Sequence, residues 1–181
     1  MNSFKLQWHI TDLCNLTCSH CYGKNNQVFD LSFSALICIY EQYKCFINYL
    51  RLQNTSLNRQ HINFTGGEPF LRNDFFDLMD YIQKDDPTLS FGILSNGTLI
   101  TPKLAKKLKK YNLRYYQISL DGTEKTHDSI RGNGTYKKVL EGIKILNTEN
   151  IKTFVSFTAM TSNYTEFPDV VKEAQKAKAT M

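Results

Sequence analysis

The stretch TDLCNLTCSHCYGKN, Thr11 to Asn25, contains three of the five cysteines of this 181-residue chain. Cys14, Cys18 and Cys21 follow the spacing C-x3-C-x2-C on what we call the cysteine loop, residues 11–22. Thiolates at this spacing bind a soft metal ion or an iron–sulfur cluster. His20 is a poor fourth ligand, because it directly precedes Cys21 and its ring is expected to point away from a shared metal. Three thiols leave one position open, as metal sites that perform chemistry do.

Strand-like and helix-like segments alternate outward from the cysteine loop. The predicted strands are residues 5–10, 61–64, 89–95, 115–120 and 152–159. The predicted helices are residues 32–50, 73–84, 101–111, 135–146 and 163–179, with Ser32 and Asn73 as N-caps of the first two. Five β-α units in succession predict an α/β fold with a parallel sheet and right-handed crossovers, curled towards a barrel or part of one.

Short polar motifs follow four successive predicted strands. The cysteine loop follows the first strand, TGGEP (65–69) the second, SNGT (95–98) the third and SLDG (119–122) the fourth. In α/β folds, functional residues collect where the strands end at their carboxyl side. The four motifs are therefore predicted to meet at one rim of the sheet.

The C-x3-C-x2-C loop after the first strand, together with GGEP, resembles the radical S-adenosylmethionine (radical SAM) superfamily. The segments CNLTCSHCY and ISLDGTEKTHDSIRGNGTY (118–136) resemble the N-terminal core of SPASM-type enzymes, which modify peptides and proteins. This resemblance implies a partial (β/α) barrel in which about five of six expected β-α units are present. Residues 1–181 are expected to form a radical SAM core domain, truncated at its C-terminus and without the SPASM domain.

The resemblance also implies cofactors, a reaction and partners. Cys14, Cys18 and Cys21 would hold a [4Fe-4S] cluster, and SAM would bind its open iron. Reductive cleavage of SAM would give a 5′-deoxyadenosyl radical that abstracts hydrogen from the substrate, an oxidoreductase-type reaction. The implied partners are a peptide or protein substrate and an electron donor such as flavodoxin or ferredoxin.

Residues on the rim receive cofactor-binding roles from the same resemblance. Glu68 is expected to contact the amino group of SAM, and Ser119 and Arg131 its carboxylate. Ser95 and Asn96 are expected near the sugar and methionyl parts, and the paired glycines allow a close backbone approach. The full set of candidates is Tyr22, Gly66, Gly67, Glu68, Ser95, Asn96, Ser119 and Arg131.

Other residues near these motifs have two interpretations. Asp121 either acts at the site or forms an Asx turn with Gly122, and His127 is either a catalyst or an exposed surface residue. Asp128 is a candidate to position Arg131.

Three residues in or near the fifth predicted strand also have two interpretations. Thr158 and Met160 either pack on adenine or simply line the barrel. Asn163 either contacts ribose or caps the last helix, and capping is the preferred interpretation.

Composition limits the remaining possibilities. The net charge is +5, with 41% hydrophobic and 22% charged residues, as in an ordinary soluble globular protein. Five lysines within residues 103–110 predict a solvated helix face and no nucleic-acid site. The apolar run ALICIY (35–40) is too short to span a membrane, and no signal-peptide pattern opens the chain. We expect a cytoplasmic protein, with Cys38 and Cys45 packed in the core.

Two other functions would use the cysteines without SAM chemistry, but the chain lacks the fourth ligand that each of them needs. An iron–sulfur electron-transfer or binding module supplies four cysteines per cluster, and a structural zinc site needs four ligands. Neither function requires Glu68, Ser119 and Arg131 on successive loops. The combined motifs therefore favour a radical SAM enzyme, with an inactive truncated fragment as the remaining alternative.

Overall fold

The computed structural model describes residues 2–23, 30–53 and 57–180. Its strands are β1 (Asn2–Thr11), β2 (Leu57–Gly66), β3 (Ser90–Ser95), β4 (Leu113–Ser119) and β5 (Thr153–Ser156). Its helices are α1 (Phe33–Leu52), α2 (Phe75–Asp85), α3 (Pro102–Leu108), α4 (Glu124–Arg131), α5 (Thr135–Thr148) and α6 (Phe167–Lys176). The strands form one parallel sheet in the order β1-β2-β3-β4-β5, which confirms the α/β partial-barrel prediction.

The core lies between the sheet and its crossover helices. Apolar side chains of the central strands have no solvent exposure. Because a closely packed core is rigid, the sheet holds the loops at its carboxyl edge in defined positions. These core residues are Ile62, Phe64, Phe91, Ile93, Tyr116 and Ile118. Among the described residues, no helix has the length and apolar character to cross a membrane.

Helix α1 confirms one prediction and corrects another. The Ser32 Oγ accepts a hydrogen bond from Ala35 N at 3.2 Å, as expected of an N-cap. Cys38 and Cys45 are exposed, so the prediction that they pack in the core is wrong. The helix buries the stripe that contains Leu36, and at 3.6 residues per turn Cys38 lies roughly 200° away from it.

Three helix starts differ from the sequence predictions. Helix α2 is preceded by Asp74 rather than Asn73 as its N-cap. Helix α6 begins only at Phe167, after a 3-10 turn over Tyr164–Glu166, so Asn163 is not its cap. Helix α4 starts in a stretch for which no helix is predicted from the sequence, and its last turn contacts the cysteine loop.

Candidate functional site

The cysteine loop leaves β1 at the carboxyl edge of the sheet and rests on α4. Cys14 and Cys21 are exposed, whereas Cys18 is buried. The backbone N–H of Ser19 donates to the Ile130 carbonyl at 2.8 Å, which ties the middle of the loop to the last turn of α4. The position of the loop therefore depends on a helix more than 100 residues away in the sequence.

The glycine pair after β2 makes room for the backbone of the cysteine loop. Gly67 N donates to Thr11 O and Glu68 N to Leu13 O, both at 2.7 Å. A β-carbon on Gly67 would overlap the Leu13 carbonyl, and Gly66 has a φ of 137°, which disfavours any side chain. The paired glycines were expected to allow a close backbone approach. In the structure, their backbone closely approaches the cysteine loop.

The Glu68 carboxylate connects the loops that follow β2 and β3. It is fully buried and accepts hydrogen bonds from Ser95 Oγ at 2.8 and 3.0 Å and from Asn96 N at 3.0 Å. Burial raises its pKa to about 7, although these hydrogen bonds oppose the shift. Glu68, Ser95 and Asn96 are therefore brought together, and contact of Glu68 with SAM stays a prediction.

The side chain of Asn96 joins the SNGT loop to the first thiol. Its Nδ2 lies 3.8 Å from Cys14 Sγ and donates to Asn15 Oδ1 at 2.9 Å. Asn15 Nδ2 in turn donates to Thr98 Oγ1 at 2.9 Å. No sequence signal singles out Asn15, because an asparagine between cysteines resembles any polar loop residue.

Arg131 brings a positive charge to the second thiol. Its Nη1 lies 3.9 Å from Cys18 Sγ, its Nη2 lies 3.5 Å from His20 Nε2, and its Nε donates to Asp121 Oδ2 at 2.6 Å. Burial raises the pKa of the Cys18 thiol, and the nearby guanidinium opposes that shift. The residue predicted to position Arg131 was Asp128, but the structure gives this contact to Asp121.

Asp128 instead binds backbone N–H groups at the start of α5. Its carboxylate accepts from Gly134 N at 2.7 Å and from Tyr136 N at 2.8 Å. His127, which precedes it, has no solvent exposure, so its interpretation as a surface residue is wrong. Burial lowers the pKa of His127 to about 4, and its neutral Nδ1 accepts from Asp121 N at 3.1 Å.

Two candidate residues lie apart from this network. Tyr22 is 80% exposed, and its hydroxyl lies 3.2 Å from His9 Nδ1. Ser119 is half-buried at the end of β4, where it pairs with Ser156 of β5. Within the part of the chain that the structure describes, no hydrogen bond joins the side chain of either residue to the other candidates. Their roles toward SAM stay predictions.

Arg72 is a structural residue of the site that the sequence did not reveal. It is buried, and it donates to Ile10 O at 2.9 Å and to Leu31 O at 2.8 Å. It also lies 3.8 Å from Asp30, whose carboxylate accepts from Thr11 Oγ1 at 2.6 Å. Arg72 thus holds the end of β1 near the start of α1. Nothing in the sequence distinguishes it from a surface arginine.

The donor set is chemically suited to an iron–sulfur cluster. In residues 2–23, 30–53 and 57–180, no three histidine, cysteine or carboxylate side chains converge on a point for a single metal ion. A cubane cluster binds one thiolate per iron, so its three thiols surround it rather than meet at one point. The N–H groups of Asn96 and Arg131 near two of the sulfurs are the kind of donor that stabilises thiolates.

Comparison with known proteins decides the family. Residues 8–174 match the model of the Radical SAM superfamily. This chain belongs to the radical SAM superfamily. An Fe-coproporphyrin III synthase from Methanosarcina barkeri (strain Fusaro) is 34% identical over 172 residues, which cover 94% of this chain and 41% of that protein.

Two further proteins show the same partial coverage. The sporulation killing factor maturation protein SkfB from Bacillus subtilis (strain 168) is 30% identical over 171 residues, which cover 94% of this chain and 39% of SkfB. Native anSMEcpe with bound AdoMet and Kp18Cys peptide has a TM-score of 0.76 at 19% identity, covering 98% of this chain and 49% of that one. The chain spans less than half the length of these relatives, and the last comparison shows the fold alone.

Membership of the superfamily confirms three expectations. Radical SAM proteins are enzymes, and their cofactors are a [4Fe-4S] cluster and SAM. The thiols of Cys14, Cys18 and Cys21 and the donors around them are compatible with these cofactors.

Proposed function

We propose that Cys14, Cys18 and Cys21 hold a [4Fe-4S] cluster and that the surrounding rim binds SAM. The observation that supports this proposal is the set of contacts that join the four motif loops beside the thiols of Cys14 and Cys18. When bound by these residues, the cluster and SAM would supply one-electron reductive cleavage of SAM and radical abstraction of hydrogen from a substrate. Residues 1–181 form the core domain for this reaction.

The protein's own residues position the groups and balance their charge. Ser119 lies at the end of β4 and Arg131 lies at the end of α4, and both would bind the carboxylate of SAM. Asn96 donates toward the sulfur of Cys14, and Arg131 toward that of Cys18. Glu68 keeps the loops after β2 and β3 together through its hydrogen bonds from Ser95 and Asn96.

The proposed substrate is a peptide or protein. The motif CNLTCSHCY, the likeness to SkfB and the fold shared with peptide-bound anSMEcpe support this class. A tetrapyrrole is a second candidate, because the Fe-coproporphyrin III synthase is 34% identical to the chain. The electron is proposed to come from flavodoxin or ferredoxin, in the cytoplasm.

Anaerobic reconstitution tests the cofactor proposal. The chain is loaded with iron and sulfide, its iron content is measured, and 5′-deoxyadenosine is quantified after reduction with dithionite in the presence of SAM. We expect about four irons per chain and SAM-dependent 5′-deoxyadenosine. A variant with Cys14, Cys18 and Cys21 replaced by alanine should lose both signals.

The exposed cysteines of α1 provide a matched control. Cys38→Ser and Cys45→Ser together should leave the iron content and the 5′-deoxyadenosine yield unchanged. Equal iron loss in this control would contradict the assignment of the cluster to the cysteine loop. A cluster-loaded wild-type chain that neither binds nor cleaves SAM would contradict the proposed function.

A second assay separates the two substrate classes. The reduced, SAM-supplied protein is mixed either with any short peptide encoded beside its own gene or with iron–coproporphyrin III. A peptide maturase should release more 5′-deoxyadenosine with the peptide and show a mass change in it. Stimulation by the porphyrin alone would replace the peptide proposal with the tetrapyrrole one.

A further inference from the structure

Asp121 connects the end of β4 to two other segments at the carboxyl edge of the sheet through four hydrogen bonds. It has no solvent exposure, and each of its backbone and side-chain polar groups has a partner. Oδ1 accepts from Thr158 N at 2.9 Å, and Oδ2 accepts from Arg131 Nε at 2.6 Å. Its N–H donates to His127 Nδ1 at 3.1 Å, and its carbonyl accepts from Asn163 Nδ2 at 2.9 Å. The end of β4 is thereby fixed to α4 and to the segment after β5.

The contact with Asp121 determines where Arg131 points. A guanidinium is planar, so a hydrogen bond that fixes Nε also fixes the directions of the two terminal nitrogens. In the structure those nitrogens face the cysteine loop, at 3.9 Å from Cys18 Sγ and 3.5 Å from His20 Nε2. Without this contact the long side chain of Arg131 could rotate, and its terminal nitrogens would have no fixed direction.

The same contact explains why a positive charge is tolerated here. The Arg131 side chain is only 10% exposed, and that of Asp121 is fully buried. A buried charge requires a partner of opposite sign, since burial removes the stabilisation that water provides. Asp121 supplies that partner at Nε, and the two terminal nitrogens point toward Cys18 and His20.

We propose that Asp121 is a positioning residue that orients Arg131 for the carboxylate of SAM beside Cys18. This inference rests on the proposed function, and it assigns a role to a residue that does not itself contact the cofactors. The neighbouring carboxylate of Asp128 does not share the role, because its hydrogen bonds go to the start of α5.

The test is a double-mutant cycle on SAM binding to the cluster-loaded chain. Asp121→Asn keeps an oxygen for Thr158 N but removes the charged acceptor for Arg131 Nε. We expect the Kd for SAM to rise about tenfold, within the range found when a partner of a ligand-binding group is removed. Arg131→Gln should weaken binding at least as much, and Asp121→Asn should add almost nothing in the Arg131→Gln background.

A merely structural role would give a different pattern. In that case the two substitutions would have additive effects on Kd, because each would disturb the site independently. The midpoint potential of the cluster is a second readout, and we expect Asp121→Asn to shift it in the wild-type background but not in Arg131→Gln. Asp169→Asn, an exposed charge change on α6, should leave both quantities unchanged.

The outcomes separate this inference from the proposed function. A wild-type chain that carries the cluster and does not bind SAM overturns the proposed function. Normal SAM affinity in Asp121→Asn, or additive effects, overturns only the positioning role. If circular dichroism shows that Asp121→Asn does not fold, Asp121→Glu takes its place in the cycle. This variant keeps the negative charge but displaces the guanidinium of Arg131. The same two outcomes, normal SAM affinity or additive effects, overturn the positioning role.

Discussion

Glu68 combines full burial with an ionisable group, and this combination makes stability depend on pH. Its pKa rises from 4.5 to about 7 in the folded chain because burial disfavours the charged carboxylate. Between those two values the folded state binds more protons than the unfolded state. The free energy of unfolding must therefore fall as the pH rises from about 4.5 to about 7, and then stay level with respect to this group.

Glu68→Gln should remove this contribution. The amide has nearly the same shape, still accepts from Asn96 N, and carries no charge. We expect the cluster-free wild type to lose about 2–4 kcal/mol relative to Glu68→Gln between pH 5 and pH 8. Urea unfolding at both pH values measures the difference, with the exposed Glu141→Gln as control. A constant difference between wild type and Glu68→Gln would show that Glu68 is not buried as described.

Gly67 is required because another backbone occupies the space of a side chain. In Gly67→Ala the new methyl group would overlap the Leu13 carbonyl, so the cysteine loop must move. We expect a loss of about 1–3 kcal/mol in unfolding free energy and a clear fall in iron content after reconstitution.

Gly134 provides the matched comparison for this substitution. Its φ of 76° also disfavours alanine, but no atom lies within 4 Å of the position of a β-carbon. Gly134→Ala should cost about 1–2 kcal/mol through backbone strain alone and leave the iron content intact. Equal iron loss in both variants would mean that general instability, not movement of the cysteine loop, controls cluster binding.

At the scale of elements, the sequence predicts the sheet better than the helices of the site. All five strands and the alternation were predicted, because apolar runs bounded by turn residues are local signals. Helix α4, whose sequence is EKTHDSIR, has few apolar residues and is not among the helices predicted from the sequence. Its burial depends on His127 and Ile130, and those contacts arise only when the chain has folded.

The junction between α4 and α5 depends on the Asp128 carboxylate. Burial pushes its pKa upward, but hydrogen bonds from Tyr136 and Gly134 outweigh that effect and lower it. A carboxylate with a lowered pKa stabilises the fold above its ordinary pKa of 3.8, and the contribution disappears as the pH falls.

Asp128→Ala should therefore destabilise the chain by about 0.5–2 kcal/mol at pH 7, as loss of a helix N-cap does. The difference from wild type should shrink below about pH 4. Urea unfolding at pH 7 and at low pH measures this difference in unfolding free energy. The control is Asp169→Ala, which removes an exposed carboxylate on α6. A loss that does not depend on pH would show that the charged form of Asp128 makes no contribution.

The candidate site could be predicted from the sequence only in part. The cysteines, GGEP and Arg131 occur in recognisable motifs, so their presence at one rim followed from the order of elements. Asn15 and Arg72 hold those motif residues in place, and each makes its contacts with residues distant in sequence. No local pattern marks these two residues, because only the folded topology brings their partners close. Asp121 stands in the SLDG motif, but its contact with Arg131 is visible only in the structure.

Across the whole molecule, contacts between loops make the rim a connected unit. The cysteine loop bonds to the loop after β2 and to α4, and the SNGT loop bonds to both Glu68 and Cys14. A ligand that binds only the folded state raises the free energy needed to open the segments that it depends on. The cluster should therefore stabilise loops whose residues do not bind it.

Hydrogen exchange measured by mass spectrometry, with and without the cluster, tests this coupling. Loading should slow exchange in residues 11–22, 66–71, 95–98 and 119–131, because opening any of them breaks contacts with a loop that holds the cluster. Helix α3 has exposed lysines and lies outside this network, so its locally opening amides should exchange at an unchanged rate. Protection confined to residues 11–22 would show that the loops are independent. Uniform slowing along the chain would show that the cluster acts only through global stability.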